Sequence, residues 1–331
     1  MTRSTTEMLE AALSFPLLRT DFPWGKRYEG KVRDNYTTAD GRRILVVTDR
    51  VSAFDRILGT LPLKGQILNF AAAFWFELTR DIAENHVLAV PDPNVLVARE
   101  CTPLPVEMVV RAYLTGTTST SIWVHYERGA REFCGHRLPD GLRQHERLPR
   151  PLLTPSTKAA QGAHDVSASR EEILQLSGMS AEDFDHAAEM AMALFRRGQE
   201  HCAERGLILV DTKYEFGKTP EGRIVVIDEI HTPDSSRFWY ADTYEARMRR
   251  GEAPESFDKE YLRRHLAERG FRGEGPIPEI PAAVRVEASR RYIEAVERIT
   301  GRSFEPNLEE PLARMARTVG AYLSGAARGE G

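Results

Sequence analysis

Cysteine is scarce in this chain. Only Cys101, Cys134 and Cys202 occur, and they show no C-x-x-C spacing. An odd count without metal-ligand spacing argues against a disulfide framework and against a structural zinc site, and it suits a reducing compartment. Long apolar runs are also missing. None approaches the ~20 residues of a membrane-spanning helix. The first residues, MTRSTTEMLEAALSF, lack the apolar core of a secretory signal. A cytoplasmic protein is the expectation. Charge of one sign is absent too, since 45 Lys and Arg against 49 Asp and Glu leave a net charge of −4. No global field draws in nucleic acid or an anionic membrane surface. There is no internal repeat, and only the Gly- and Ala-rich tail from Ser324 is of low complexity.

What remains is an ordinary globular composition. The 331 residues, 41% hydrophobic and 28% charged, are enough for a large core and two lobes.

The stretch LILVDTKYEFGKTPEGRIVVIDEIHTPDSSRFW, residues 207–239, organises the rest. Two apolar runs flank a turn containing Pro220 and Gly222, which predicts a β-hairpin. Its strand ends carry Asp211, Lys213, Glu215, Asp228 and Glu229. Alternation puts Asp211, Lys213 and Glu215 on one face, and Asp228 on the face of Val226 and Ile224. Carboxylates are hard oxygen ligands that suit Mg²⁺. A hairpin with merely solvated acids is the plainer alternative, but these acids continue directly from buried runs.

Other segments add candidates. KRYEGKVRDN, residues 26–35, reads as a hairpin whose Gly30 allows close backbone approach, with Lys31 and Arg33 supplying charge. TDRVSAFD, residues 48–55, follows a strand. It reads either as a functional loop or as a helix N-cap using Asp49 or Ser52. Residues 63–80 have helical period with Phe70, Phe74 and Leu78 on one face, which predicts core rather than a cofactor box. A short strand is expected within 84–98 and another over 103–111. The second ends in Arg111 before AYLTGTTSTS, a run that offers hydroxyls and backbone N–H groups to an anion. Residues 125–150 read as loop with at most a short hairpin. LLTPSTKAAQGAHD, residues 152–165, gathers Lys158, His164 and Asp165 without helical period. Ser-x-x-acid boxes open helices at Ser169 and Ser180, and Gly206 stops the second. Further helices are expected over 256–266 and 281–300.

Taken in order, GKVRD, TDRVSAFD, VVRAYLTG, LLTPSTKA, GAHD, DTKYEFG and DEIHTPDSSRFW closely resemble the SAICAR synthetase family of purine biosynthesis. The resemblance covers roughly residues 27–300, and the length looks more like the larger fungal-type members than the compact bacterial ones. It implies a two-lobed α+β fold related to ATP-grasp and protein-kinase folds, with antiparallel sheets and flanking helices. The lobes are expected at 1–104 and 105–331. It also implies an ATP-dependent ligase joining L-aspartate to 5-amino-1-(5-phosphoribosyl)imidazole-4-carboxylate, with ATP and Mg²⁺ required.

Carried over by position, Gly30, Lys31, Val32 and Arg33 cover the ATP phosphates. Glu215 and Asp228 hold Mg²⁺, Glu215 also serving the ATP ribose, and Lys213 lies by the transferred phosphoryl group. Arg111, Thr117, Ser119 and Arg237 bind the ribotide, Asp234 and Ser235 orient it, and Lys158 and Asp165 complete its pocket. Asp49 and Ser52 are candidates for the aspartate site. Two departures stand out. Thr117–Ser121 replaces a pattern with a single Ser, and Asn35 replaces an aliphatic residue. Another carboxylate–amine ligase or a small-molecule kinase, and a non-catalytic nucleotide-binding protein, are the competing readings. Partners are expected to be these small molecules alone, and oligomeric state is left open.

Overall fold

The computed structural model describes residues 4–53, 56–118, 120–158, 166–256 and 260–326. Helix α1 (Thr5–Ala12) opens from a reciprocal box, with Ser4 N–H donating to the Glu7 carboxylate at 2.7 Å and Glu7 N–H to Ser4 Oγ. The chain then forms β1 (Lys26–Glu29), β2 (Arg33–Thr37) and β3 (Arg42–Val47). A separate ribbon follows, β4 (Arg50–Ala53) with β5 (Arg56–Thr60), and then α2 (Lys64–Leu78). The single strand expected within 84–98 is a hairpin, β6 (Val87–Asp92) and β7 (Val95–Arg99), turned at Pro93 and Asn94. The first sheet is antiparallel, in the order β1-β2-β3-β7-β6.

The second sheet begins with β8 (Thr102–Tyr113). After α3 (Ile122–Glu127) and a small hairpin of β9 (Glu132–Phe133) and β10 (His136–Arg137) come β11 (Arg147–Leu153) and β12 (Ser156–Thr157). Helices α4 (Arg170–Ser177) and α5 (Ala181–Ala203) start where the Ser169 and Ser180 boxes predict, and their cap hydroxyls accept from Glu172 N–H and Asp183 N–H. Then β13 (Leu207–Lys218) and β14 (Ile224–Ile227) form the expected hairpin, followed by β15 (Ser236–Tyr240). The sheet order is β11-β8-β13-β14, with β12 on β8 and β15 on β13. The chain closes with α6 (Ala241–Arg250), α7 (Glu260–Ala267), α8 (Ala282–Thr300) and α9 (Pro311–Ala326).

Burying apolar surface supplies most of the driving force. Phe184, Leu194 and Phe195 of α5 pack on Val210, Tyr214 and Phe216 of β13. Helix α2 is buried nearly all round, not along one stripe, with Ile67, Leu68, Trp75 and Phe76 all under 3% exposed. It sits between the sheets and the terminal helices and is core, as expected. The last strand of the first sheet ends at Arg99 and the second sheet begins at Thr102. The C-terminal helices do not stay with the second sheet, however. Helix α8 packs on α1 and α2, and α9 packs on β6 with Met315 and Val319 in the core of the first sheet. No helix among the described residues is long and apolar enough to cross a membrane.

Candidate active site

The site grows from one register. On β8 and β13 the directly opposed residues are Arg111 with Asp211, Val109 with Lys213, and Glu107 with Glu215. Opposed residues share a face and alternate residues repeat it. One face therefore carries these six side chains, while Met108, Val110, Tyr214 and Phe216 are fully buried on the other. Asp211, Lys213 and Glu215 do share a face, as the alternation predicts.

At one end of this face Asp211 also pairs across to Arg237 of β15. A row Arg111–Asp211–Arg237 results. Arg237 donates to the Asp211 carboxylate at 3.0 Å and Arg111 lies 3.7 Å from the same oxygen. Arg111 Nε also donates to Thr154 Oγ1 at 2.9 Å. Burial pulls the Arg111 guanidinium below its usual pKa and Arg237 adds to this, while Asp211 opposes it. Among the described residues, the Arg111 and Arg237 guanidiniums share the Asp211 carboxylate. The turn at Gly116 lies against them. Its φ is +105°, and a Cβ there would stand 2.4 Å from Ser121 Oγ and 3.2 Å from Arg237 NH1. Only glycine fits. Thr117 is exposed on that turn, and Thr118 N–H donates to Ser121 Oγ. Ser119 lies outside the described residues. Nearby, Asp211, Asp234, Ser235, Arg237 and Arg263 line a polar pocket of about 130 Å³.

At the other end Lys213 donates to Glu107 at 3.0 Å and to Glu215 at 2.5 Å, and Lys158 donates to the second Glu215 oxygen at 2.6 Å. Burial alone would raise the Glu215 carboxyl, but Lys213 and Lys158 outweigh it and hold it well below the usual range. Glu215 is also opposite Ile227 of β14, so Asp228 follows in the neighbouring position. Strand alternation stops there, because Asp228 takes a left-handed φ of 68°. The expectation that it shares a face with Val226 and Ile224 is corrected on this ground. Its carboxylate meets Arg33 NH1 from the first sheet, and Arg33 NH2 reaches Glu229 at 3.0 Å. Those two carboxylates overcome the effect of burial and raise the Arg33 pKa. Arg33, at the end of the Gly30–Arg33 loop of the first sheet, thus meets Asp228 and Glu229 just after β14, next to Glu215.

One predicted position is committed elsewhere. Asp49 accepts from Leu17 N–H at 2.8 Å and from Gly65 N–H at 2.9 Å, capping the first turn of α2 from a distance. Burial pushes its carboxyl up to about 6. Ser52 is half-buried on β4, opposite Ile57, and not at a helix start. Asp234 lines the pocket, but its carboxylate accepts from Lys64 Nζ at 2.8 Å and from Tyr292 OH at 2.9 Å. Ser235 gives its backbone carbonyl to Lys213 N–H. Asp165 falls outside the described residues. Sequence reasoning passed over Glu107, although its spacing of four from Arg111 on a strand signals the same face. It also passed over Lys64 and Arg263, for which no local pattern exists.

A glycine loop on one sheet facing carboxylates on another is the plan of a two-lobed α+β enzyme of phosphoryl transfer. Comparison with known proteins carries this further. A family model described as SAICAR synthetase matches residues 26–276. A Mesorhizobium japonicum protein, provisionally named a second phosphoribosylaminoimidazole-succinocarboxamide synthase, is 54% identical over 281 residues, 85% of this chain and 90% of that one. The Legionella pneumophila enzyme of that name is 48% identical over 294 residues, 88% of this chain and 93% of its own. The solved SAICAR synthase of Saccharomyces cerevisiae, in complex with SAICAR, superposes with a TM-score of 0.76 at 29% identity, covering 88% of this chain and all of that one. The chain belongs to the SAICAR synthetase family, ligases of purine biosynthesis. Bacterial relatives span almost its whole length, so the length that suggested a fungal form is not confined to fungi.

Proposed function

We propose that the two ends of this face divide the family's reaction between them. The chain ligates L-aspartate to 5-amino-1-(5-phosphoribosyl)imidazole-4-carboxylate, converting ATP to ADP and phosphate and giving the succinocarboxamide. A carboxylate is a poor acyl donor because oxide is a poor leaving group. Transfer of the γ-phosphoryl group to a carboxylate oxygen gives an acyl phosphate and ADP. The aspartate amine then attacks the acyl carbon, loses a proton, and expels phosphate. Such chemistry asks the protein for positioning and charge neutralisation, not for a covalent nucleophile.

The geometry supports the following roles. Arg111, Arg237 and the Gly116–Thr117 turn take the ribotide phosphate, with Asp234 and Ser235 in the wall of the same pocket. Gly30, Lys31, Val32 and Arg33 cover the ATP phosphates. Lys213, two strand residues or ~7 Å from both Asp211 and Glu215, stands between nucleotide and ribotide, where phosphoryl passes. Lys158 balances Glu215 and borders the acceptor. Glu215 and Asp228 fit Mg²⁺, which takes one or two carboxylates and fills its remaining positions with phosphate oxygens and water. Both carboxylates already attract cationic groups, Lys158 and Lys213 on one and Arg33 on the other. Bound there, the ion would neutralise charge on the ATP phosphates. The enzyme works in the cytoplasm on these small molecules.

The observation that carries this reading is the alternation on β13, with an arginine-rich pocket at Asp211 and a cation-binding carboxylate at Glu215. The test is ADP release from Mg·ATP and the carboxyaminoimidazole ribotide, with and without L-aspartate, and with the product identified by mass. Release that requires both acceptors and yields the succinocarboxamide is expected. Release indifferent to aspartate would overturn the reading in favour of a kinase or a ligase for another amine.

A further inference from the structure

The TDR triplet, residues 48–50, has a job beneath the phosphate loop. Arg50 is only 4% exposed. Its Nε donates to the Lys31 carbonyl at 2.9 Å, and its NH2 to the Gly30 carbonyl at 2.8 Å and to Asp34 Oδ1 at 2.9 Å. Its NH1 donates to the Leu18 carbonyl. Thr48 completes the set, donating to the Val32 carbonyl from its N–H at 3.1 Å and from its hydroxyl at 2.8 Å. Three successive loop carbonyls, those of residues 30, 31 and 32, therefore point at one pair of side chains.

A trans peptide directs its C=O and the following N–H oppositely. With the carbonyls of Gly30 and Lys31 drawn onto Arg50, the N–H groups of Lys31 and Val32 are directed to the opposite face of the loop. Oriented amides of this kind bind anions. Asp34 fixes the guanidinium in turn. Fully buried, it accepts from Arg50 and, through its other oxygen, from Thr20 N–H at 2.6 Å and Thr20 Oγ1 at 2.9 Å. Tyr36 OH donates to that Thr20 hydroxyl at 2.7 Å.

We propose that Arg50 is a positioning residue for the nucleotide: its guanidinium, anchored by Asp34, holds the Gly30–Val32 backbone with its amides turned toward the ATP phosphates. It touches neither substrate. The inference rests on the reading that this loop covers the phosphates. Arginine suits the task because its planar fork offers five N–H donors in fixed directions, of which four are used here; lysine offers three from a single point.

Calorimetric titration of Mg·ADP and, separately, of the carboxyaminoimidazole ribotide tests it in Arg50→Lys, with amide exchange measured across residues 26–37. The expected result is an ADP Kd raised about tenfold or more, the factor that goes with one lost charge-assisted bond. The ribotide Kd should stay within about twofold, and exchange in the loop should quicken. Equal weakening of both ligands, or unchanged ADP affinity, would overturn the proposal. Should Arg50→Lys fail to fold, Thr48→Val removes one bond to the Val32 carbonyl at constant shape and should weaken ADP alone by a few-fold; unchanged affinity there overturns it as well. Lys31→Ala checks the underlying reading separately. If that variant binds ADP normally, the loop does not cover the phosphates, and the proposal falls with it.

Discussion

Replacing Lys213 with Met keeps the length of the side chain and removes its charge. Glu107 and Glu215 are directly opposed on β8 and β13, where Cβ atoms stand about 5 Å apart. Lys213 sits between them at 3.0 and 2.5 Å. Without it two carboxylates face one another, and at an effective dielectric near 20 their repulsion is about 3 kcal/mol. Lys158 still offsets part of this through the second Glu215 oxygen. The expected loss of stability is therefore about 2–3 kcal/mol near neutral pH. Such a repulsion pushes the Glu215 carboxyl upward.

The sign then fixes the pH dependence. In the parent protein Glu215 is held below its ordinary value of 4.5. Its contribution to stability is present above that value and is lost as pH falls through the depressed folded value. In the variant the facing carboxylates push the folded pKa upward, so the repulsive penalty is full above the raised value and is relieved as pH falls through it. Urea unfolding should show a larger deficit near pH 8 than near pH 5, where the repulsion is partly relieved while the lost Lys213–Glu215 pairing still counts. ADP release should drop by about 10²–10³-fold in kcat/KM, the usual loss for one preorganised donor to a developing charge. A deficit equal at both pH values would refute the electrostatic account. Turnover within about threefold of the parent would refute the placement of Lys213 at the transferred group.

Three further outcomes are expected. Asp228→Asn should lower kcat/KM for Mg·ATP by about 10²-fold or more while ribotide affinity stays within about twofold, checked by initial rates and titration. Arg237→Ala removes a guanidinium 3.0 Å from Asp211 beside the Gly116 turn; the ribotide KM should rise about 10–100-fold with the ATP KM unchanged, and a shift in the ATP KM alone would displace the acceptor pocket. Arg314→Met should cost about 3–5 kcal/mol in urea unfolding without changing either KM, because fully buried Arg314 is bonded to Asp92 at 2.9 Å and its loss leaves that buried carboxylate short of its cation.

The parts of this molecule that a reader of the sequence can find are those set by short-range periodicity. Alternation along β13 gives the shared face of Asp211, Lys213 and Glu215, and Ser-x-x-acid boxes give the starts of α4 and α5. The parts that stay hidden depend on partners distant in sequence. Asp49 looks like a local helix cap and does cap a helix, but one that begins fifteen residues later, at Lys64. Arg50 is one arginine in a polar triplet until the carbonyls of residues 18, 30 and 31 come to it. Lys64 looks like a surface lysine, yet it is fully buried on Asp234, 170 residues away. Helix α9 goes unread because its partner is the first sheet, at the far end of the chain. Asp228 breaks the alternation through its own backbone, with a φ that period-two reasoning excludes.

This division has a consequence for what holds the site together. Slipping β13 by one residue against β8 would exchange the two faces and send Lys213 and Glu215 into the core. The charged residues do little to prevent it, because their partners could be met in more than one register. The other face resists. Tyr214 and Phe216 are fully buried beneath α5, and Tyr214 OH is bonded to His231. At position 217 only glycine clears the neighbouring strand and loop, since a Cβ would stand 2.9 Å from Cys101 Cβ and 3.3 Å from Ile227. Apolar packing behind the sheet therefore sets the register, and the register places the charges. Substitutions at Tyr214 or Phe216, on the face opposite the charged residues, should disturb turnover and stability together, whereas Arg237 and Asp228 should separate them.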